Sequence, residues 1–254
     1  MIATLLALVA AAPTAATRVA PVAVRSGPDR ILPLVQTSGG TGAGCTRDRR
    51  YCIQLIAGEQ GPLPALRSGR MAQELQTKAG DDESTVWPIL FALGNGGFLA
   101  GVQHKVTTGY SGGGGSASTL QLYEISRAGR TGIRPVMEAP LEASLMIRAC
   151  FSEQDMAKRH GACHDEYDFS ARIGLAPGRS AGMPILTYTT QAWSFPRGVA
   201  RSTDSTRMRA LRRTDLVRQR DPKCSFTRTL RFNQESGLFR PETPMPDCSD
   251  YTTP

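Results

Sequence analysis

The sequence predicts a mainly β fold, an antiparallel meander forming a sandwich or an up-and-down barrel with one or two short helices. Three observations carry this expectation. Apolar runs of strand length recur along the chain, and 26 Gly and 17 Pro punctuate them. Short hairpin signals join consecutive runs, so neighbours in sequence become neighbours in the sheet. Neither long helical periodicity nor strand–helix alternation is present, which argues against a doubly wound parallel sheet. A hydrophobic content of 40% with 20% charged residues fits a globular chain and excludes wholesale disorder.

Residues 1–16, MIATLLALVAAAPTAA, form an uncharged apolar run ending in small side chains. That pattern is the core and cleavage region of a secretory signal peptide, although no Lys or Arg follows Met1. At about 12 apolar residues the run is too short to span a bilayer, which takes roughly 20. The expectation is an exported protein, periplasmic or secreted, with no membrane span in the mature chain. Residues 17–44 read as an extended leader with one strand at Ile31–Val35, and residues 45–254 as a single disulfide-stapled β domain.

Within that domain, YCIQLIA (51–57) alternates as a strand does. SGRMAQELQTKAG (68–80) predicts the best helix, capped by Ser68 and ended by Gly80. VWPILFAL and GFLAGVQHKV flank Gly94-Asn95-Gly96, a strong hairpin cue. STLQLYEI returns after TTGYSGGGGS, which reads as a mobile glycine loop. LEASLMIRAC is a further strand, and YDFSARIGLA places Tyr167, Phe169, Ala171, Ile173 and Leu175 on one face. GMPILTYTTQAWSF pairs back across APGRSAG, and a last hairpin joins CSFTRTLRFN to LFRPE.

Six cysteines in an exported chain imply three disulfides. A three-residue turn at Glu235–Gly237 would set Gln234 opposite Leu238, and the same register sets Cys224 opposite Cys248. Cys45 and Cys52 are near enough to close a small loop, which leaves Cys150 with Cys163. Between the last two, Ser152 and Asp155 resemble a capping box, acids precede Lys158 and Arg159, and Gly161 is a natural terminator. The rival reading takes Cys150, His160, Cys163 and His164 as zinc ligands, but that spacing matches no familiar zinc site.

Candidate chemistry is sparse. His160, His164, Asp165 and Glu166 form the one cluster that would suit a metal-dependent or acid–base hydrolase. Gly109-Tyr110-Ser111-Gly112-Gly113 fits G-x-S-x-G, but the glycines after it cannot start a helix, as a nucleophile elbow requires. His104 shares the apolar face of Phe98, Ala100, Val102 and Val106 and reads as a satisfied core histidine. Trp87 and Trp193 read as core. No cofactor is implied.

The net charge of +8 is concentrated. Arg197 to Arg231 carries eleven Lys or Arg against three Asp, so the remainder is neutral. Arg207, Arg209, Arg212, Arg213, Arg218 and Arg220 are therefore candidate contacts to an anionic envelope polymer, set against the alternative of a solvated, arginine-rich face. Phe226 is the one aromatic residue of the stretch, which disfavours nucleic acid as the partner. The leading expectation is a non-catalytic binding or structural module of the cell envelope.

At MIRACFSEQDMAKRHGACHDEYDF, FPRGVARSTDS and PMPDCSDYTTP the chain resembles a group of small exported bacterial proteins. The resemblance runs from about Leu141 to the end. It implies a signal peptide and paired cysteines in a β-rich domain, and it supplies no activity, cofactor or catalytic residue.

Overall fold

The structure is a computed structural model that describes residues 28–37, 40–59, 61–67 and 83–254. The signal peptide expected at 1–16 and the helix expected at 68–80 lie outside the described residues. Among the described residues four short strands come first, β1 (Arg30–Thr37), β2 (Gly40–Thr46), β3 (Cys52–Ile56) and β4 (Leu63–Arg67). Longer strands follow: β5 (Ser84–Ala92), β6 (Phe98–Tyr110), β7 (Gly113–Ile125) and β8 (Met137–Arg148). Helix α1 (Glu153–Lys158) separates β8 from the long hairpin β9 (His164–Ser180) and β10 (Met183–Phe195). The chain closes with β11 (Gln219–Arg220), β12 (Thr227–Asn233), β13 (Leu238–Pro241) and helix α2 (Ser249–Thr252).

Every strand pairing is antiparallel, in the order β13-β12-β10-β9-β8-β7-β6-β5-β1-β2-β3-β4, with β11 added beside β10. The mainly β meander is thus the fold. Residues 30–44, read from sequence as part of a leader with one strand, contribute to two strands, β1 and β2. The first half of β1 pairs with β5 and the second half with β2, so β1 turns the corner between two layers. Ile53, Leu55 and Leu66 from the small layer then pack on Val86, Leu90, Phe98, Tyr123 and Ile125. At the other end the sheet curls around a larger core that includes Leu122, Leu145, Tyr167, Tyr188, Leu230 and Tyr251. There the Phe239 N–H of β13 donates to the Val136 carbonyl just before β8, at 2.8 Å. Tyr188 spans the same core and donates its hydroxyl to the Pro140 carbonyl at 2.7 Å.

The glycine-rich hairpin departs from the expected loop. β6 and β7 stay paired out to Tyr110 opposite Gly113, leaving only Ser111 and Gly112 as the turn. The physical reason is close approach. A Cβ on Gly113 would stand 2.5 Å from both the Tyr110 ring and the Met146 carbonyl oxygen. Tyr110 covers that bare backbone and donates its hydroxyl to Met146 O at 2.9 Å. A strand follows the turn, so Ser111 sits on a hairpin tip rather than a strand-to-helix elbow. The next hairpin is likewise longer than expected, with its turn reduced to Ala181 and Gly182, both at positive φ.

All three expected disulfides are formed: Cys45–Cys52, Cys150–Cys163 and Cys224–Cys248. The register argued for the last pair is off by one, since Asn233, not Gln234, faces Leu238. The turn therefore holds four residues with Gly237 left-handed at φ 67°. The ladder stops at Leu230–Pro241, and the bridge forms in the irregular segments beyond it. The cap of α1 follows the sequence reading, with the Asp155 N–H donating to Ser152 Oγ at 3.1 Å.

Candidate functional site

Alternation along β6 to β10 divides the side chains between two faces. One face fills the large core. The opposite face is covered near β5 by the small layer and lies open farther along. That open part is a trough of about 490 Å³. Cross-strand register lays its floor in two rows. The first runs Lys105, Ser118, Glu142, Ser170 and Gln191, one residue from each strand. The second runs Ser116, Ser144, Asp168 and Trp193, ending beside Arg220 of β11. Ser116, Ser118, Ser144 and Ser170 make low points of the floor around the Glu142 and Asp168 carboxylates, and Lys105, Gln191 and Trp193 on the flanking strands make the walls. Gln103 bonds into the floor, its Nε2 donating to Ser118 Oγ at 3.1 Å.

At the β10 end, the Arg218 guanidinium pairs with Asp168 at 2.5 Å and with Glu166 at 3.6 Å. Trp193 lies half-buried beside them and lines the trough with its indole. The expected core placement holds for Trp87, which is 4% exposed, but not for Trp193. Its parity reveals why: Leu186, Tyr188 and Ala192 face the core, and Trp193 is out of phase with them. At the border with the small layer, His104 Nδ1 accepts from the Ser84 hydroxyl at 2.9 Å, and its Nε2–H donates to Gln121 Oε1 at 3.1 Å. The histidine is satisfied, as expected, but it is half-buried at the edge of the core, and Val106 beyond it on the same face is exposed.

The sequence cluster of His160, His164, Asp165 and Glu166 does not form one site. His160 is exposed in the left-handed turn after α1, at φ 51°. His164 and Glu166 project from the outer face of β9, where the His164 Nε2–H donates to Gly112 O at 3.0 Å. Strand alternation sends Asp165 to the opposite face. There it is buried against Arg159 and accepts from the Ser205 hydroxyl. Arg159 also donates to Ala162 O at 2.7 Å, and the Leu211 N–H donates to Lys158 O at 2.9 Å. Asp165 is thus a structural anchor that ties residues 205–211 to α1. Cys150 and Cys163 are bonded to each other, which removes them from any zinc set. Among the described residues, no group of three or more His, Cys, Asp or Glu is arranged to hold a metal ion.

No family model, curated protein or solved structure matches this chain. The geometry alone must therefore carry the functional reading.

The arginine-rich stretch carries fewer unpaired charges than its sequence suggests, although its side chains stay largely exposed. Arg209 pairs with the buried Asp215 at 2.8 Å, Arg197 approaches it at 3.4 Å, and Arg207 pairs with Asp204 at 3.3 Å. With Arg218 already paired, three of the six candidate contacts are held by carboxylates. Arg212, Arg213 and Arg220 make no ion pair among the described residues. The Arg209 guanidinium and the Arg212 backbone N–H hold the Asp215 carboxyl well below the usual carboxylate range. The Thr206 hydroxyl and N–H lower Asp204, and the Ser152 hydroxyl and Phe151 N–H lower Asp155.

A pH dependence follows, with a definite sign. A carboxyl whose folded pKa lies below its unfolded value of about 3.9 stabilises the fold above that value. The contribution is lost as pH falls through the window below it. The urea midpoint should therefore hold steady from neutral pH to about 5 and drop below about 4. Asp215→Asn, already lacking its share, should show a lower starting midpoint and a shallower acid decline.

Proposed function

We propose that the protein is an exported, non-catalytic binding module of the cell envelope, periplasmic or secreted, whose ligand lies in the trough. The trough carries this reading. It gathers polar side chains, several of them exposed, and one half-buried indole from five adjacent strands, on the face opposite the large core. Concave sites with a few convergent polar groups are where proteins take ligands. Three disulfides are compatible with an oxidising compartment. Among the described residues, no helix is long and apolar enough to cross a membrane.

A second reading keeps an anionic envelope polymer at the arginine-rich stretch, favoured by Arg212, Arg213 and Arg220, whose charges no carboxylate pairs among the described residues. We do not retain the acid–base alternative, because Asp165 faces away from His164 and Glu166.

Co-sedimentation with the insoluble polymer fraction of bacterial envelopes tests the proposal. The protein should sediment saturably and leave the polymer intact. Ser144→Trp, which fills the trough floor at an exposed position, should stay in the supernatant. A double variant, Arg212→Ser with Arg213→Ser, should sediment like the parent. Loss in the double variant instead, with strong salt dependence, would move the contact to the second reading. Absence of co-sedimentation, or release of soluble fragments, would overturn the proposal.

A further inference from the structure

We propose that the trough takes an uncharged glycan chain laid across strands β6 to β10, with one sugar ring against the Trp193 indole. This inference rests on the reading of the protein as a binding module and names the chemistry of its ligand. Shape is the first support. The five floor strands, at roughly 4.8 Å spacing, give a footprint about 19 Å long, and the two rows stand about 7 Å apart. That is long and narrow, suited to an extended chain of several rings rather than to one compact molecule.

Charge is the second support. Lys105 and Arg218 are offset within the trough by Glu142 and Asp168, and Arg218 is already paired. A polyanion would meet carboxylates as often as cations, and a single-stranded nucleic acid would find neither a cationic groove nor a series of stacking aromatics. Backbone availability excludes a third class. At the trough floor, residues 116–118 of β7, 142–144 of β8 and 168–170 of β9 are each paired on both edges, so a peptide cannot add as a further strand there. The hydroxyl-lined floor offers little to a lipid chain.

A neutral glycan fits what is left. Its rings carry hydroxyls that both donate and accept around their rims, and the trough offers serine hydroxyls, the Gln103 and Gln191 amides, and the Glu142 carboxylate. Its apolar C–H faces need a flat apolar surface, and Trp193 supplies one whose polar neighbours remain wet.

The test is a titration of the full protein with cellohexaose, chitohexaose and maltohexaose, and separately with heparin, read by calorimetry and tryptophan emission. Trp193 is the tryptophan exposed to report binding, because Trp87 is buried in the core. At least one uncharged hexasaccharide should bind with the same affinity at about 50 mM and about 500 mM salt, since screening leaves uncharged contacts alone. Trp193→Ala should weaken that binding about tenfold or more, the scale of losing a central aromatic contact. Ser144→Trp should abolish it, and Arg212→Ser with Arg213→Ser, outside the trough, should leave it unchanged. Failure of all three sugars to bind, or binding indifferent to both trough variants, would overturn the inference. Binding of heparin alone, salt-sensitive and lost in the double arginine variant, would also overturn it while leaving a binding module. Appearance of new reducing ends would leave the glycan assignment standing and overturn the non-catalytic reading.

Discussion

Asp165→Ala is expected to lower folding stability by about 3–5 kcal/mol, the cost of leaving one member of a buried ion pair without its partner. Both side chains of the Arg159–Asp165 pair are nearly inaccessible, at 4% and 6% exposure. The Asp165 carboxylate is also the acceptor for Ser205, so its removal strands a hydroxyl as well as a guanidinium. Arg159→Met alone should be similarly costly, for it strands the carboxylate. The double variant Arg159→Met with Asp165→Leu should recover much of the loss, because burying two apolar groups avoids the desolvation cost of two charges. Urea denaturation of the parent and the three variants measures each of these changes. A loss below about 1 kcal/mol for Asp165→Ala would place the pair among exposed ion pairs and contradict its role as an anchor.

The second large effect is expected from Cys150→Ser with Cys163→Ser. These residues are 13 apart and enclose α1. Opening a loop of that size frees the unfolded chain by about 3 kcal/mol in the chain-entropy treatment. The same segment carries Arg159, so the disulfide and the ion pair hold one piece of chain from two sides. Their losses should therefore fail to add in a combined variant, in contrast to Cys45→Ser with Cys52→Ser, which lies in the other layer. Additive losses would show that α1 and its anchor are energetically independent.

How much of this was legible in the sequence depended on whether the signal was local. The Asn95-Gly96 turn, the inward row from Tyr167 to Leu175 and the Ser152 cap are each written in a few adjacent residues, and each appears in the structure. The glycine run misled because its reason is tertiary: Tyr110 and the Met146 carbonyl crowd Gly113, so the bare backbone belongs to a ladder rather than to a loop. The last hairpin slipped by one residue because a loop of three and a loop of four both place Gly237 left-handed. The trough was hidden for a different reason. Ser118, Glu142 and Ser170 come from three separate strands, and only the register brings them into one row. Trp193 was readable in principle, since its odd position within β10 opposes the even, inward row.

The measurement that bears most directly on the central claim is a nitrogen–proton NMR titration of the full protein with the tightest uncharged hexasaccharide. The account predicts shift changes concentrated at Lys105, Ser118, Ser144, Ser170 and Gln191 and at the Trp193 indole N–H, with Arg212 and Arg213 unmoved. Changes confined to Arg212 and Arg213, or none at all at saturating sugar, would contradict it.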